Sequence, residues 1–464
     1  MRRSRETWKT KLYQNRGIAT AVGILFLLGA LLFFVVPKNK VPGFKRSLTP
    51  DTFSQAAVEM DTIPAGVGSE VFCIVFDAGS TGSRVHIYRF MQSGGKLDLQ
   101  SDTFEQLKPG LSSYADAPED AAKSLIPLME SALKTVPTEL QAQTKIKLGA
   151  TAGLRLLPEG KADIILDEVR KFLKTYPFQL DTATGVTILD GADEGGFAWL
   201  TLNYLLGHLG KPEEKTIAAI DLGGGSVQQA FAVPASEAAK APTGYISQLA
   251  GGGRTYNVYV HSYLGFGLMA GRAAVLAWEE AKAANPCILG DHQGAYEYGG
   301  MKYELVAHPS GASFDACSKL VKLVLRQNLE CGAPQEQCAF NGAWGGSVKP
   351  TAFYVSSYFW DRATDAGIIG EKDAITWTLK PTDFSAAAKK ACASNVAGLA
   401  SSFPDVDASQ APYLCLDLSF LHTLLTEGFR IQDGLEVTLV KRVRYQSQEI
   451  EAAWPLGAAI NLLS

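Results

Sequence analysis

Two segments of the chain place an aspartate and a turn of small residues between two apolar runs. They are VFDAGSTGSRVHIYRF at 75–90, with Asp77, and AIDLGGGSVQQAFAV at 219–233, with Asp221. Glycines let a backbone approach an anion closely, and their amides form a nest for phosphate oxygens together with Ser and Thr hydroxyls. A strand-end Asp adds a hard carboxylate that can hold Mg²⁺ or Ca²⁺ through water. These turns therefore predict the binding of a metal-bound polyphosphate.

The repetition of this turn carries more weight than either copy alone. One Asp-x-Gly turn commonly does no more than close a hairpin, with its Asp capping the turn. Two copies, with Asp77 and Asp221 in equivalent places, predict duplicated lobes that hold one polyphosphate between them.

Three acidic residues lie at the end of VTILDG (186–191) and just after it, where the pattern predicts a strand that leads into a helix. Asp190, Asp193 and Glu194 all lie here, and a carboxylate can take a proton from an attacking water. On chemistry alone each of the three is a candidate base, and the alternative is that they serve only as helix N-terminal charge.

The elements around these turns alternate between β-rich and helical patterns, which is typical of an α/β protein. VFCIVFD and VHIYRF predict a hairpin, whereas 121–136 and 163–176 carry apolar residues at helical spacing. KIKLGATAGLRLL at 145–157 predicts a strand, a glycine turn and the start of a helix. We expect a C-terminal helix within 446–464 to cross back and complete the first lobe.

Residues 17–36 contain no charged side chain, and a helix of that length spans about 30 Å, the thickness of a bilayer core. More cations precede this run than follow it, which favours a cytosolic N-terminus. A cleaved signal peptide is the alternative, but the apolar run is longer than such a peptide needs. The predicted organisation is a cytosolic tail (1–16), a signal anchor (17–36), a stem (37–69), lobe I (70–190, completed by 446–464) and lobe II (191–445).

Charge and cysteine content narrow the class of protein further. The 464-residue chain has a formal net charge of −4, so it offers no general basic surface for nucleic acid. Six of the seven cysteines cluster in the second half, which predicts three disulfides in a translocated domain. Their order suggests sequential pairing, although other connectivities remain open on the sequence alone. The predicted pairs are Cys287–Cys317, Cys331–Cys338 and Cys392–Cys415, with Cys73 free.

The segments 77–84, 149–155, 190–196 and 221–228 resemble the characteristic regions of the apyrase (nucleoside triphosphate diphosphohydrolase) family. The resemblance extends to KPGLSSYA (108–115), VHSYLGFGL (260–268), NPC (285–287), YLCLDLSFLHTLLTEGF (413–429), VTLVKRVRY (437–445) and EAAWPLGAA (451–459). From about residue 71 to 464 the chain is similar to a plant-type endomembrane apyrase. Because that family belongs to the actin, heat-shock-chaperone and sugar-kinase superfamily, the resemblance implies two actin-like (RNase H-like) lobes with a nucleotide cleft between them, preceded here by one transmembrane helix.

The resemblance also implies roles for individual residues. Glu194 corresponds to the family's base, Gln228 and Thr151 to residues near the water and the metal, and Asp77 and Asp221 to residues that hold Ca²⁺ or Mg²⁺ through water. The implied phosphate-binding residues are Ser80, Thr81, Gly82, Ser83, Arg84, Gly223, Gly224, Gly225 and Ser226. Phe359 or Trp360 would stack on the base, although an aromatic run is also typical of a core.

The implied activity is divalent-metal-dependent hydrolysis of the terminal phosphate of nucleoside tri- and diphosphates, ending at the monophosphate. A superfamily kinase or an exopolyphosphatase is one alternative, and a non-catalytic nucleotide-binding surface protein is another. The implied location is that of a single-pass type II membrane protein with a lumenal or extracellular catalytic domain, in the Golgi in the first instance and at the cell surface as the alternative. The expected partners are nucleotides and, through one N-terminal helix, the membrane.

The predicted topology can be tested in sealed microsomes that contain the full-length chain with a tag at each end. Protease added outside should remove the N-terminal tag and spare the C-terminal one, because the cation excess before residue 17 retains the N-terminus in the cytosol. A protected N-terminal tag with a digested C-terminal tag would reverse the predicted topology.

Overall fold

The computed structural model describes residues 68–464 except 80, 81, 156, 291 and 293. The predicted cytosolic tail and signal anchor, and the predicted stem up to residue 67, lie outside the described residues. Within the described part of the chain, no helix is both long and apolar enough to cross a membrane.

A six-stranded sheet is built from the N-terminal part of the described chain. Its main path runs β3-β2-β1-β4-β5, and β6 also pairs with β4. The β1–β2 and β2–β3 pairs are antiparallel, which confirms the predicted hairpin, whereas β4 is parallel to β1 and to β6. The strands are β1 (Ser69–Ala78), β2 (Ser83–Ser93), β3 (Lys96–Leu107), β4 (Lys145–Ala150), β5 (Gln179–Leu180) and β6 (Val186–Ile188).

A seven-stranded sheet follows, with the order β14-β15-β13-β7-β8-β10-β9. Its strands β7, β8 and β10 are paired antiparallel, and β13 and β15 add on the other side of β7 in parallel. This order repeats that of β1, β2, β3, β4 and β6 in the first sheet. The strands are β7 (Ala218–Leu222), β8 (Ser226–Val233), β9 (Ile246–Gly251), β10 (Arg254–Leu264), β13 (Phe353–Ser357), β14 (Thr376–Leu379) and β15 (Val437–Val440).

Two small hairpins and the helices complete the described chain. The hairpins are β11 (Gly294–Tyr298) with β12 (Met301–Leu305), and β16 (Arg442–Tyr445) with β17 (Gln448–Glu451). The helices are α1 (Pro118–Lys123), α2 (Ile126–Thr135), α3 (Thr138–Gln141), α4 (Ala152–Arg155), α5 (Lys161–Leu173), α6 (Gly191–Leu205), α7 (Ala235–Ala238), α8 (Leu268–Ala277), α9 (Phe314–Val324), α10 (Tyr358–Asp365), α11 (Pro381–Cys392), α12 (Val396–Ser402), α13 (Leu414–Thr423) and α14 (Trp454–Leu463). An α/β protein was predicted, and this alternation of strands and helices confirms it.

Helices α6 and α14 share one core with residues of both sheets. That core includes Val75 of β1, Trp199 of α6, Ala230 of β8 and Leu456 of α14. Gly457 allows the two helices to touch, because a Cβ there would lie 2.0 Å from the Phe197 carbonyl oxygen. Helix α6, which carries the candidate base in its first turn, is thus held between the sheets.

The C-terminal segment differs from the helix expected over 446–464. Residues 448–451 form strand β17 and pair with β16, so the helix begins only at Trp454. Pro455 lies in the first turn of that helix, where a missing amide costs no hydrogen bond and a fixed φ favours the start of a helix. The predicted helix 121–136 is likewise divided into α1 and α2, with Pro127 in the first turn of α2.

The cysteines pair in the predicted sequential order. Disulfides join Cys287 to Cys317, Cys331 to Cys338 and Cys392 to Cys415. Cys73 is free and buried in β1. All three disulfides therefore belong to the part of the chain that builds and surrounds the second sheet.

Candidate active site

The first turn connects β1 to β2 and closes on its own backbone. The Gly79 amide donates to the Gly82 carbonyl oxygen across 3.0 Å. Gly82 has no room for a side chain, because a Cβ there would lie 2.7 Å from the Leu107 carbonyl oxygen. The predicted phosphate-binding residues described here are Gly82, Ser83 and Arg84, whereas Ser80 and Thr81 lie outside the described residues.

Asp77 is the second-last residue of β1, and one of its carboxylate oxygens accepts a hydrogen bond whereas the other has no partner. Arg84 donates to its Oδ2 across 3.0 Å, whereas Oδ1 is buried without a hydrogen-bond partner. Burial raises the pKa of Asp77, and the charge of Arg84 opposes that rise. In this structure Arg84, predicted as a phosphate ligand, is engaged with Asp77. A buried oxygen without a partner marks a position that a ligand or a water completes.

The second turn connects β7 to β8 in the same way. The Gly223 amide donates to the Ser226 carbonyl oxygen across 3.0 Å. Within the described residues, the amides of Gly224 and Gly225 donate to no backbone acceptor. Consecutive free amides in a tight turn are the donors of an anion nest, so this turn suits phosphate oxygens.

The N-terminus of helix α8 fixes the second turn from behind. The Leu268 amide donates to the Gly223 carbonyl oxygen across 2.9 Å, and the Ala270 amide donates to that of Gly224 across 3.0 Å. A Cβ at Gly267 would lie 2.4 Å from the Ser226 amide nitrogen, so only glycine permits this approach. With its carbonyls held by α8, the turn directs its remaining amides away from that helix.

Asp221, in β7, is held by the end of the neighbouring strand β13. Ser356 and Ser357 donate from their hydroxyls to Asp221 Oδ1, across 2.9 and 2.5 Å. Burial raises the pKa of Asp221, and these two hydrogen bonds oppose the rise. Ser357 has a φ of 60°, a strained conformation for a residue other than glycine. Both serines were missed from the sequence, although they follow the apolar run FYV just as the other strand-end site segments follow theirs.

The three acidic residues at the start of α6 have different positions. Asp190 caps the helix, because its carboxylate accepts from the Ala192 amide across 2.7 Å. The pKa of Asp193 is raised by partial burial and by the charge of Asp190. The pKa of Glu194 is raised also by the charges of both Asp77 and Asp221, so Glu194 faces both turns.

Glu194 is a carboxylate whose protonated form is favoured by burial, although the cationic side chain of Arg155 lies beside it. Burial raises its pKa from an ordinary 4.5 to about 8, and the charge of Arg155 opposes the rise. Arg155 donates to Glu194 Oε2 across 2.6 Å. Arg155 is the last residue of α4, and the acid that it pairs with is the candidate base itself.

Gln228 lies beside Glu194 with its amide nitrogen fully engaged. Its Nε2 donates to Ser226 Oγ across 2.7 Å and to Ser262 Oγ across 3.0 Å, and lies 3.5 Å from Glu194 Oε2. The amide oxygen is thereby the end that can accept from a water. Ser262, which orients this amide from β10, was missed because a lone serine in a strand carries no signal of its own.

Thr151 stands at the end of β4, next to the first turn. Its amide donates to the Ala78 carbonyl oxygen across 3.2 Å, and β4 pairs with β1 so that Gly149 lies opposite Asp77. The predicted residues Thr151 and Asp77 therefore come from adjacent, parallel strands that end together.

The aromatic residues predicted to stack on the base are buried. Phe359 has no exposed surface and Trp360 is 6% exposed, and both belong to the core behind the second sheet. Neither ring presents a free face here, because α10 turns both towards that core. Tyr358, the first residue of the same aromatic run, is half-buried.

The oxygen-rich surroundings of the two turns fit a hard cation bound through water. The donors are the unpaired Oδ1 of Asp77 and the carboxylate of Asp221, which are the hard oxygens that Ca²⁺ and Mg²⁺ prefer. Among the described residues, no three His, Cys, Asp or Glu side chains converge to hold a metal directly.

Comparison with known proteins gives a consistent result. Residues 67–464 match the GDA1/CD39 (nucleoside phosphatase) family. The chain is 40% identical to "Probable apyrase 2" of Oryza sativa subsp. japonica, over 99% of this chain and 97% of that protein. It is 42% identical to "Apyrase 1" of Arabidopsis thaliana, over 86% of each chain.

A solved structure supports the fold independently. The nucleoside triphosphate hydrolase of Neospora caninum superposes with a TM-score of 0.62 at 15% identity, over 85% of this chain and 92% of that one. At this identity the likeness concerns the fold alone.

The raised pKa of Glu194 predicts a pH-dependent stability. Between its unfolded pKa of 4.5 and its folded pKa of about 8, the folded protein holds a proton that the unfolded chain has lost. The free energy of unfolding should therefore fall as the pH rises through this window. Glu194→Gln should flatten that slope, by about 1.4 kcal/mol per pH unit at most.

The measurement is urea unfolding at several pH values in chelator, so that no cation stabilises the folded state. Asp77 and Asp221 also have raised pKa values, so part of the slope should persist. Glu159→Gln, at an exposed position, is the matched control and should leave the slope unchanged. An identical slope in Glu194→Gln would show that Glu194 is ionised throughout.

Proposed function

The chain belongs to the GDA1/CD39 (nucleoside phosphatase) family, and we propose that its two turns and Glu194 form the active site. The enzyme is a nucleotide phosphohydrolase of the apyrase type. The proposed reaction removes the terminal phosphate from nucleoside tri- and diphosphates and ends at the monophosphate. The observation that carries the proposal is that Glu194 Oε2 lies 3.5 Å from the amide nitrogen of Gln228, which stands opposite Asp221 in the β7–β8 pair. Its other neighbour, Arg155, ends the short helix that begins beside the first turn.

The two turns would bind the phosphates of one nucleotide. The free amides of Gly224 and Gly225 would bind phosphate oxygens on one side, and the turn that follows Asp77 would bind them on the other. Donors fixed in advance stabilise charge without reorganising during the reaction. Because phosphoryl transfer depends mainly on position and charge, two fixed turns meet most of its requirements.

Members of this family generally use a divalent cation. We propose Ca²⁺ or Mg²⁺, held through water by Asp77 and Asp221. When bound, the cation neutralises charge on the phosphate oxygens. The unpaired Oδ1 of Asp77 and the two serines that fix Asp221 support this assignment.

Water would attack the terminal phosphorus while the bond to the bridging oxygen breaks. Gln228 would accept a hydrogen bond from this water through its amide oxygen, because its nitrogen is already engaged by Ser226 and Ser262. Glu194 would take the proton of the water and later release it to solvent. For this it must be ionised, and Arg155 favours the ionised form through a 2.6 Å hydrogen bond. The products are inorganic phosphate and the shortened nucleotide.

We also propose that the described part of the chain lies in an oxidising compartment, the lumen of the Golgi in the first instance. Three disulfides support this, because such bonds persist in secretory compartments and are rare in the cytosol. The uncharged run at 17–36 supports a membrane anchor that precedes the stem and the described part of the chain.

The function is tested by phosphate release from ATP, ADP, GDP and UDP by the purified full-length protein with Ca²⁺ or Mg²⁺. Glu194→Gln keeps the size and polarity of the side chain but cannot take the proton. We expect kcat to fall by roughly 10²–10⁴ while nucleotide binding changes little. Asp77→Asn and Asp221→Asn should instead raise the cation concentration that gives the half-maximal rate.

Asp190→Asn is the matched control, because Asn also caps helices well and this position lies four residues before Glu194. It should retain near-normal turnover. Phosphate release from inorganic polyphosphate is measured in parallel, because an exopolyphosphatase would hydrolyse this substrate in preference to nucleotides. Normal turnover in Glu194→Gln with loss of activity in Asp193→Asn would move the base to Asp193.

A further inference from the structure

Two helices of the second half each begin at a different part of the candidate site. Helix α8 follows Gly267 and donates its first amides to the carbonyls of the second turn, as described above. Helix α10 follows Ser357, whose hydroxyl donates to Asp221. Helix α8 therefore positions the backbone amides proposed to bind phosphate, and α10 positions the Asp221 carboxylate, which is proposed to hold the cation.

Each of these helices carries an arginine at the same distance from its N-cap. Arg272 lies five residues after Gly267 in α8, and Arg362 lies five residues after Ser357 in α10. Five residues of helix extend about 7.5 Å, so both arginines lie more than one turn behind the starts of their helices.

Both arginines bind one carboxylate, that of Asp417 in α13. Arg272 donates to Asp417 Oδ1 from Nε across 2.7 Å and to Oδ2 from Nη2 across 2.5 Å. Arg362 donates to the same Oδ2 from Nη1 across 3.3 Å. Asp417 thus bonds to both helices.

The three side chains are removed from solvent. Asp417 has no exposed surface, and Arg272 and Arg362 are 1% and 6% exposed. Arg362 also pairs with Asp365 across 2.7 Å, so the two arginines and two carboxylates balance in charge. A buried charge pair with good geometry fixes its partners closely, because displacing any of them leaves an uncompensated charge in the core.

The helix that carries Asp417 is itself held firmly. Its Cys415 is bonded to Cys392 of α11. The Tyr413 ring, just before α13, lies 4.4 Å from the guanidinium carbon of Arg272 and covers it. Gln410 accepts from Arg272 Nη2 across 2.9 Å. Asp417 is therefore a fixed reference point for α8 and α10.

We propose that Asp417 is a positioning residue for catalysis: through Arg272 and Arg362 it fixes the N-termini of α8 and α10 against each other. These N-termini hold the carbonyls of the second turn and the carboxylate of Asp221. This inference rests on the proposed function of those two elements. If the link is loosened, the α8 amides and the Ser357 hydroxyl shift against each other, so the turn peptides and the Asp221 carboxylate lose their relative orientation. A displacement of this kind far from the chemistry weakens function without removing any group that touches the substrate.

The test is Asp417→Asn in the full-length enzyme, which keeps the side-chain volume and removes the charge that both arginines share. We expect the half-saturating Ca²⁺ concentration and the KM for nucleotide to rise by about tenfold each in the folded protein. Near-UV circular dichroism and intact disulfides verify folding. Calorimetric titration with Ca²⁺ alone should show the same loss of affinity, and this readout does not require turnover. A failure of the proposed function, with no phosphate release by the unsubstituted enzyme, is therefore distinguishable from a failure of this inference.

A double-mutant cycle separates positioning from bulk stability. Ser356→Ala removes one of the hydrogen bonds that hold Asp221, so Asp417→Asn should weaken Ca²⁺ binding less in that background than alone. Full additivity would overturn the inference. Asp365→Asn is the matched control: it removes the other partner of Arg362, on the same helix, without unlinking α8 from α10, and should lower Ca²⁺ affinity by a much smaller factor than Asp417→Asn does.

If Asp417→Asn does not fold, Arg362→Lys provides the second variant, since lysine keeps the charge near Asp365 and shortens the reach to Asp417. Its Ca²⁺ affinity should fall in the same direction by a smaller factor. A folded Arg362→Lys enzyme with unchanged Ca²⁺ affinity and KM would contradict the proposal.

Discussion

Three partly buried carboxylates, two at the ends of strands and one at the start of a helix, lie near one another in the candidate site. Asp77, Asp221 and Glu194 each have a pKa raised by burial, and the charges of the two aspartates further raise that of Glu194. Like charges brought together out of water repel unless cations or hydrogen-bond donors offset them. Arg84 offsets Asp77, Arg155 offsets Glu194, and two serines offset Asp221. The remaining structure can be understood as the means of holding these charges in place.

The two sheets hold these carboxylates in place through the same order of strands. Each sheet pairs its first strand, β1 or β7, antiparallel with the next strand and parallel with a later one, β4 or β13. Each first strand leads through an Asp into a glycine turn. Helix α6 lies between the sheets and brings Glu194 to both turns. The absence of a side chain at Gly267 and Gly457 lets the helices that fix the second turn and the central core lie directly against them.

The sequence indicated the parts of the candidate site that repeat. The paired turns predicted Asp77, Asp221 and the glycines of the second turn, because two copies of one turn in equivalent places point to a shared ligand, whereas a single copy commonly only closes a hairpin. The order of the cysteines predicted the disulfides that the structure contains. The break at Pro127 and the late start of the C-terminal helix were missed, since apolar spacing alone does not mark where a helix is interrupted.

Contacts between distant segments could not be predicted. Ser356 and Ser357 reach Asp221 only because β13 pairs with β7, and Ser262 reaches Gln228 only because β10 pairs with β8. Whether an aromatic run faces a cleft or a core depends on which side of α10 packs inward, and Phe359 and Trp360 face the core. The partner of Arg155 could not be identified from the sequence, because its contact with Glu194 joins two helices and two residues that are 39 positions apart in the chain.

Glu194 is proposed to act as a base whose pKa Arg155 lowers against the effect of burial. The most direct measurement is the pH dependence of kcat/KM for ADP in the wild type, Arg155→Met and Arg155→Lys, at saturating Ca²⁺. The acid limb of the profile reports the ionisation of the base in the free enzyme. In Arg155→Met it should move to higher pH by about one unit or more, whereas Arg155→Lys, which keeps the charge, should stay close to the wild type. A Met variant that loses activity with an unshifted acid limb would contradict the account.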